Sequence, residues 1–435
     1  MSQKREILQK RKNEFLEEIR RKLLYLLVFL SPNQLIKHFW PSWSFVFGIR
    51  VDYLSISISL TELLILIIFI LWFLEIVFFD RLKEKVRFNW WFLVLIILFL
   101  SNIIFSGFSL NTIISWAKFF LLFWLSYYLI FWNKESFFEW FFKPASLSLF
   151  FFGLIGVLQF IKGSTTDSFL YFLGERNFSK NTAGIALFSF LGRDFLRVYS
   201  TFPHPNVLAG FFGLCLILLL GTEVKSGFCL IWKKIILVFG FFVFLLSFSR
   251  GAFLSLLLVG FVLLINKKYL RIVAFLMVSL SFLFSLILFF LSDLNRNNIY
   301  LSKPLKERLD LVISTKDVFL KYPFFGVGLN NFILKTSYNF EVGAINYQLQ
   351  PVHNIYLLVL SELGVFGFLI FYLFLLRISL IASSLNKPWF FLGLCFVIIS
   401  GVVDHYWLTL GQTRLLFVIL VSQIIKESYG RKNYC

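Results

Sequence analysis

The sequence predicts an all-α fold, a polytopic helix bundle within a membrane. Of its 435 residues, 59% are hydrophobic and only 15% are charged, whereas a soluble domain has about 25% charged residues. Long apolar runs recur along the chain at about 20 residues, the length that a helix needs to cross a bilayer. These runs lack the alternating pattern of a membrane β-barrel. Helices are therefore the predicted membrane-crossing elements.

The apolar runs divide into about twelve predicted membrane spans. They cover about residues 23–40, 58–79, 89–106, 112–132, 141–161, 205–221, 234–249, 250–265, 272–291, 353–376, 388–403 and 412–425. With twelve spans both termini lie in the cytoplasm, and Lys and Arg then collect in the short inner loops. This distribution follows the positive-inside rule. The predicted location is the cytoplasmic (inner) membrane of a bacterium, as a multi-pass protein surrounded by membrane lipid.

Few segments lie outside the predicted spans. Residues 1–22 combine basic and acidic side chains with apolar ones at helical spacing, which predicts an amphipathic segment on the cytoplasmic surface. Residues 23–435 are predicted to form a single transmembrane domain. Two of its outer loops are long, at about 162–204 and 292–352.

The second long loop contains a predicted helix. Lys303–Lys321 has Pro304 in its first turn and apolar residues on one face, with Arg308 at the edge of that face. An arginine in this position points toward the membrane surface or the protein body. The sequence GVGLNNF at 326–332 follows, with the Gly and Asn residues that are typical of a fixed loop.

The net charge is +19. In a soluble protein this charge would suggest nucleic acid, but here the basic residues lie at the ends of apolar runs, so topology explains them and no nucleic-acid partner is expected. The four cysteines form no CxxC pair or disulfide framework. Nothing resembles a P-loop or a dinucleotide fingerprint, so no cofactor is expected.

Residues 350–368 form the most informative stretch. A helix that starts at Pro351 places Gly364 about 20° and Gly367 about 40° from His353 around its axis. Such a smooth face lets a neighbouring helix approach closely. The opening turn would present unpaired N–H groups that can hold an anion. His353 is then either a general base or a boundary histidine bonded to a carbonyl.

Three further residues are candidates with two interpretations each. Asn354 either orients an acceptor or caps the helix. Arg250 is the only charge between Lys234 and Lys267, so it either binds phosphate at a helix N-terminus or extends to the membrane surface from a helix end. Arg197 binds either an anionic head group or the outer lipid surface.

Other polar residues are given a structural interpretation. Glu362 is predicted to pair with another helix. Asp404 and His405 lie in an outer turn and are interpreted as part of an interfacial belt. No two histidines have a ligand spacing such as HxxxH, so no metal site is predicted.

These motifs together resemble the O-antigen ligase/polymerase family of polytopic bacterial glycosyltransferases. The family pattern is His, then Asn, Ser or Gln, nine residues, Gly, two residues and Gly. A second motif is Arg, three residues and Leu, matched by Arg250 and Leu254. The resemblance covers about residues 190–376. The residues that fit the first pattern are His353, Asn354, Gly364 and Gly367.

The resemblance implies a GT-C-like fold and a metal-independent, inverting transfer of a glycan. The donor would be a glycan on undecaprenyl diphosphate, and the acceptor a hydroxyl of a glycan, lipid or protein on the extracytoplasmic side. His353 would correspond to the base, Arg250 to a diphosphate-binding arginine and Arg308 to the second arginine. Arg197 is a further candidate for donor binding. The sequence shows no additional carboxylate near His353 to orient it.

Two alternatives remain open at this stage. The protein can be a ligase, a polymerase or a protein O-oligosaccharyltransferase, since the sequence does not identify the acceptor. It can also be a transporter or flippase of lipid-linked oligosaccharide. Flippases usually carry charges through the bundle interior and have paired inverted halves. Here the informative charges gather on one side and the long loops are unequal, which favours the enzyme.

Overall fold

The computed structural model describes residues 2–78, 90–167, 169–224, 227–292, 302–336 and 349–432. Helices dominate these residues, together with small two-stranded sheets. The chain divides into two compact units, and a single transmembrane domain stays a prediction. The first is Met1–Ile36, Ile58–Phe88 and Leu121–Ser249, and the second is Lys37–Ser57, Asn89–Phe120 and Arg250–Cys435.

The described α-helices follow one another along most of the chain. In order they are α1 Ser2–Phe29, α2 Leu60–Phe78, α3 Trp90–Phe105, α4 Leu110–Phe131, α5 Lys143–Lys162, α6 Pro205–Leu220, α7 Phe228–Leu246, α8 Arg250–Val262, α9 Leu270–Leu291, α10 Lys303–Lys321, α11 Phe332–Thr336, α12 Ile355–Ser384, α13 Pro388–Ser400, α14 Tyr406–Thr409 and α15 Gly411–Lys432. The strands are β1 Ile36–Phe39, β2 Phe45–Val46, β3 Ile49–Arg50, β4 Ile56–Ser59, β5 Leu187–Phe190 and β6 Arg193–Leu196.

The described helices confirm a polytopic helical membrane protein. Six helical segments are long and apolar enough to cross a membrane: Leu60–Val77, Leu110–Phe131, Phe138–Lys162, Phe228–Leu246, Lys267–Leu291 and Ile355–Ser384. Four shorter apolar helices are Leu93–Phe105, Pro205–Leu220, Arg250–Val262 and Pro388–Ser400. A count of about twelve spans remains a prediction, because the shorter helices fall below the length of about 20 residues that crossing requires.

The first predicted span, at 23–40, is wrong in its second half. Helix α1 runs through the predicted boundary at residue 22 and ends at Phe29, and β1 follows within the predicted span. Pro32 explains the end of the helix, since proline lacks an N–H group and disfavours the helical conformation of the residue before it.

Helix α1 is also less exposed near residue 20 than an amphipathic surface segment would be. Arg20 is 4% exposed and forms an ion pair with Glu75 of α2, which is fully buried. The guanidinium carbon of Arg20 lies 5.9 Å from the ring centre of Tyr128. This buried pair joins the first two helices of the first unit.

The segment between α5 and α6, predicted as the first long outer loop, contains a hairpin. Strands β5 and β6 pair antiparallel, and the ring of Phe188 stacks on that of Phe248 with 3.8 Å between ring centres. The hairpin therefore packs against the end of α7 through an aromatic contact.

The core of the second unit lies between α9 and α12. The ring of Phe282 is 4.5 Å from that of Tyr356, 4.8 Å from that of Phe368 and 5.0 Å from that of Tyr372. Helix α10 has the predicted bounds, Lys303–Lys321, which confirms that element. Residues 293–301 and 337–348 of the second predicted outer loop lie outside the described residues.

Candidate active site

Helix α12 begins at Ile355, so His353 precedes the helix instead of lying in its first turn. The side chain of Asn354 sets this start. Its Oδ1 accepts hydrogen bonds from the backbone N–H groups of Tyr356 at 2.9 Å and Leu357 at 3.0 Å, which is the geometry of an N-cap. The predicted helix start upstream of the histidine is therefore wrong.

The first turn of α12 has its backbone N–H groups paired. The N–H of Ile355 donates to the carbonyl of Gly401 at 2.8 Å, and that of Leu358 donates to the carbonyl of Asn354 at 3.0 Å. The two N–H groups between them donate to the Asn354 side chain. The prediction that this helix end holds an anion is wrong, because the cap and a neighbouring turn already satisfy its donors.

Asn354 also holds the helix against other elements of the second unit. It is 2% exposed, and its Nδ2 donates to Oγ of Ser285 on α9 at 2.8 Å and to the carbonyl of Val402 at 3.0 Å. Both ends of the amide are therefore engaged within the protein. This favours the capping interpretation of Asn354 over the acceptor-orienting one.

Residues 401–405, here called the 401–405 turn, collect several of the predicted site residues. Arg308 on α10 donates from Nη1 to the carbonyl of Val403 at 3.3 Å. The start of α8 lies beside the same valine, since a β-carbon added to Gly251 would be 3.0 Å from Cγ2 of Val403. The turn therefore brings Arg308 close to the start of α8, where Arg250 lies.

Arg250 is the first residue of α8, and its side chain is exposed. Within the part of the chain that the structure describes, it forms no hydrogen bond or ion pair. Its guanidinium can therefore bind an external anion without first breaking an internal contact. An arginine fork suits a phosphate group, whose oxygens accept two parallel hydrogen bonds.

The 401–405 turn also supplies a carboxylate to His353. Nδ1 of His353 lies 3.4 Å from Oδ1 of Asp404, and the two side chains are 20% and 11% exposed. The same Oδ1 accepts a hydrogen bond from the backbone N–H of His405 at 2.9 Å. The interpretation that no carboxylate orients His353 is therefore wrong. The two residues lie far apart in the sequence, and the fold brings them together.

His405 lies against the same histidine. Its ring centre is 5.1 Å from that of His353 and 5.8 Å from that of Tyr53, and its Nδ1 lies 2.7 Å from Oγ1 of Thr409. Among the described residues, one potential ligand atom from each of His353, Asp404 and His405 lies within 4.8 Å of the others. This group can hold a metal ion, although no ligand spacing in the sequence indicates one.

Helix α12 is interrupted at Gly364, where the backbone has φ 66° and ψ −168°. This conformation is essentially restricted to glycine. A β-carbon here would also overlap the backbone of Phe324 and Phe325. The predicted continuous helix is therefore wrong, and so is the placement of Gly364 and Gly367 on one smooth face beneath His353. The close neighbour is a loop segment and not a second helix.

Residues 323–328 fill the interruption in α12. Four backbone hydrogen bonds join this segment to the two helix ends. Two N–H groups of the segment donate to helix carbonyls, Val327 to Ser361 at 3.1 Å and Gly328 to Glu362 at 3.0 Å. Two N–H groups of the helix donate to carbonyls of the segment, Val365 to Pro323 at 2.8 Å and Phe366 to Phe324 at 3.3 Å. These bonds pair backbone N–H and C=O groups that a continuous helix would pair within itself. Such groups must be hydrogen-bonded in an apolar surrounding, where no water can replace the partner.

Asn102, fully buried on α3, fastens the inserted segment. Its Nδ2 donates to the carbonyls of Phe325 and Glu362 at 2.8 and 2.9 Å. Its Oδ1 accepts from Nε1 of Trp116 at 2.9 Å and from the N–H of Leu329 at 3.0 Å. The amide thus uses all four of its hydrogen-bonding positions, which fixes the loop as the sequence predicts.

The partners of Glu362 lie at the start of α11 and in the loop before it. Its carboxylate accepts hydrogen bonds from the backbone N–H groups of Asn330 and Phe332. Phe332 is the first residue of α11, which agrees with the prediction that Glu362 pairs with another helix, and Asn330 in the preceding loop supplies the second donor. Glu362 therefore strengthens the same attachment between the loop and α12.

Residues 235–372 match the family model of the O-antigen ligase. The predicted resemblance is therefore confirmed over this segment, which contains Arg250, Arg308 and His353. The match covers about a third of the chain and is shorter than the predicted 190–376. No curated protein matches the chain. The O-antigen ligase match and the long apolar helices together indicate a multi-pass membrane enzyme that transfers or ligates glycans.

Arg197 lies in the first unit and outside the O-antigen ligase match. Its Nε donates to the carbonyl of Ser247 at 2.6 Å, and its Nη2 donates to Oδ1 of Asn206 at 2.9 Å. These bonds attach the exit of the β5–β6 hairpin to the end of α7 and the start of α6. A role of Arg197 in donor binding stays a prediction.

Proposed function

We propose that the protein is a glycosyltransferase of the O-antigen ligase/polymerase type. The donor is a glycan on undecaprenyl diphosphate, and the acceptor is a hydroxyl group. The observation that carries the proposal is the pair formed by His353 with Asp404, which lies on the 401–405 turn. Arg308 is hydrogen-bonded to the same turn. The proposal assigns these three residues as the base, the carboxylate that orients it and an arginine that binds the anion.

His353 acts as the general base. An ionised Asp404 only accepts hydrogen bonds, so the proton of the neutral imidazole belongs on Nδ1 and the lone pair on Nε2. Nε2 takes the proton from the acceptor hydroxyl, whose oxygen attacks the anomeric carbon of the donor. The bond from that carbon to the phosphate oxygen breaks, and its electron pair leaves with the diphosphate. Attack from the opposite side inverts the anomeric configuration.

Arg250 and Arg308 stabilise the leaving diphosphate. Negative charge develops on the bridging oxygen as the bond breaks, and guanidinium groups that are already in place lower the energy of this charged state. Arg250 has an exposed guanidinium without an internal partner among the described residues. With two arginines for the diphosphate charge, the proposed reaction requires no divalent cation.

The proposed reaction takes place on the extracytoplasmic side of the cytoplasmic membrane, as the distribution of basic residues in the short loops predicts. There a lipid-linked donor and an acceptor can meet without ATP. The acceptor distinguishes a polymerase, which extends another lipid-linked glycan, from a ligase that transfers to a lipid core or a protein O-oligosaccharyltransferase.

An assay with purified protein tests the proposal. A defined undecaprenyl-diphosphate glycan is offered with a panel of glycan, lipid and protein acceptors, in the presence of EDTA. We expect an elongated or transferred product, and a loss of about 100-fold or more in kcat for His353→Ala, the size of a general-base contribution. Asp404→Asn should lower kcat with little change in the KM of the donor.

The matched control is His38→Gln, because His38 bonds to Ser55 and is not part of the proposed mechanism. Turnover that persists in His353→Ala would disprove the base assignment. The absence of product with every acceptor would disprove the proposed function, provided that the protein elutes as a folded species.

A further inference from the structure

The cluster of His353, Asp404 and His405 combines two imidazoles and one carboxylate, the ligand types that Zn²⁺ prefers. One potential ligand atom of each residue lies within 4.8 Å of the others. We infer that this cluster binds a single Zn²⁺-like divalent cation, and that the bound cation blocks the base. The site is therefore inhibitory rather than catalytic.

The separation within the His–Asp pair supports a cation site. Nδ1 of His353 and Oδ1 of Asp404 are 3.4 Å apart, whereas a good N–H···O hydrogen bond measures about 2.7–3.2 Å. Tetrahedral zinc with bonds of about 2.0 Å places neighbouring ligand atoms about 3.3 Å apart. The observed spacing is close to that of two ligands on one ion, and a cation would replace the long Nδ1–H···Oδ1 hydrogen bond of the metal-free site. The longest separation in the cluster, up to 4.8 Å, must shorten by about 1.5 Å to reach the same geometry, so binding requires a small adjustment of the side chains.

His405 is held in a suitable tautomer by its neighbour. Oγ1 of Thr409 donates to the carbonyl of His405 at 3.2 Å and lies 2.7 Å from Nδ1 of the same residue. When the hydroxyl proton is given to the carbonyl, Oγ1 accepts from Nδ1–H, and this tautomer leaves the lone pair of His405 on Nε2. A metal-binding histidine commonly donates its other N–H to an oxygen in this way.

Binding changes the proton on His353. A cation between His353 and Asp404 uses the lone pair of Nδ1, so the ring proton moves to Nε2. The acceptor hydroxyl then meets an N–H donor where the reaction needs a lone pair. The arginines cannot compensate, since they act on the leaving group. This inhibition rests on the proposed function, but the binding does not.

A competition experiment tests the binding without any glycan. The purified chain is titrated with Zn²⁺ in the presence of a chromophoric chelator. We expect one ion per chain in the wild type, and loss of that ion in His405→Gln and in Asp404→Asn. Thr409→Val should weaken the site by about ten- to 100-fold, as loss of a supporting contact usually does. The control His38→Gln should bind like the wild type.

The transfer assay tests the consequence. Zn²⁺ should inhibit the wild type and His38→Gln, and an excess of EDTA should restore their activity. Whatever activity His405→Gln retains should be insensitive to the same Zn²⁺ concentration. Zinc affinity that is the same in wild type, His405→Gln and Asp404→Asn would overturn the site, as would a wild type that binds none. If zinc binds as expected but no acceptor gives product, the proposed function fails and the metal site stands.

Discussion

Replacing Gly364 by Ala distinguishes an interrupted α12 from a continuous one. In the structure Gly364 has φ 66° and ψ −168°, and a β-carbon there would overlap the backbone of Phe324 and Phe325. The alanine must either adopt a conformation that is strained for an L residue or push residues 323–328 out of the gap. Either response weakens the attachment between the loop and the helix.

The expected cost follows from these two contributions. A residue forced into this backbone region costs about 1–3 kcal/mol. Displacing the inserted segment puts four backbone hydrogen bonds at risk, each with a net contribution of about 1 kcal/mol. We therefore expect Gly364→Ala to lower the free energy of unfolding by about 1–4 kcal/mol, least if the strained conformation is kept and most if the segment is displaced. A continuous helix would respond in the opposite direction, since alanine is favoured over glycine inside a helix by about 1 kcal/mol.

Chemical unfolding of the purified protein in detergent, followed by far-UV circular dichroism, measures this difference. Gly260→Ala is the matched control, because Gly260 lies in α8 and a β-carbon there meets no atom within 4 Å. It should be neutral or stabilise by up to about 1 kcal/mol. If Gly364→Ala is as stable as the wild type, or more stable, the interruption and its hydrogen bonds are refuted.

Two further substitutions should lower stability, and a third should weaken donor binding. Asn354→Ala should lower the free energy of unfolding by about 2–4 kcal/mol, because it removes the cap of α12 and two other buried hydrogen bonds; chemical unfolding measures it. Glu75→Ala should cost about 3–5 kcal/mol, since it leaves Arg20 buried without its carboxylate, and the double variant with Arg20→Ala should lose less than the two single losses combined. Arg308→Lys should raise the KM of the lipid-diphosphate donor several-fold with normal stability, because lysine lacks the bidentate fork.

The sequence predicted those elements whose signals are local. An apolar run of the right length identifies a helix such as α2, and the proline and apolar face of Lys303–Lys321 identify α10 with its observed bounds. The glycines and asparagines of GVGLNNF likewise indicate a fixed loop. The motif that contains His353 was also found from its own residues, and the family match covers it.

The interruption of α12 had no comparable signal. Glycine is common in membrane helices, where it permits close packing, so Gly364 in an apolar run fits a continuous helix equally well. What decides the outcome is the set of hydrogen bonds from residues 323–328, together with Asn102 on α3. These contacts join residues that are far apart in the chain, and the periodicity of one segment contains no information about them.

The partner of His353 was missed for a related reason. Asp404 and His405 are adjacent to buried Tyr406 and Trp407, and an aromatic-rich turn between apolar runs is typical of a membrane interface. The residue that could have indicated a site was Asp404 itself, because an aspartate is seldom buried unless it has a partner. Asp404 is 8% exposed, but only the structure shows that its partner is the histidine.

The position of His353 depends on backbone groups more than on the side chains around it. The carbonyls of Gly401 and Val402 accept from Ile355 and from the side chain of Asn354, the residues directly after the histidine. Every residue type has such a carbonyl, so the sequence of the turn does not reveal these hydrogen bonds, although the close approach does need glycine at 401, where a β-carbon would overlap Cδ1 of Ile355. The same turn presents Asp404, so the histidine and its carboxylate are held by one element. A shift of the turn would move both together, which explains how His353 can keep its orientation although it lies outside any helix.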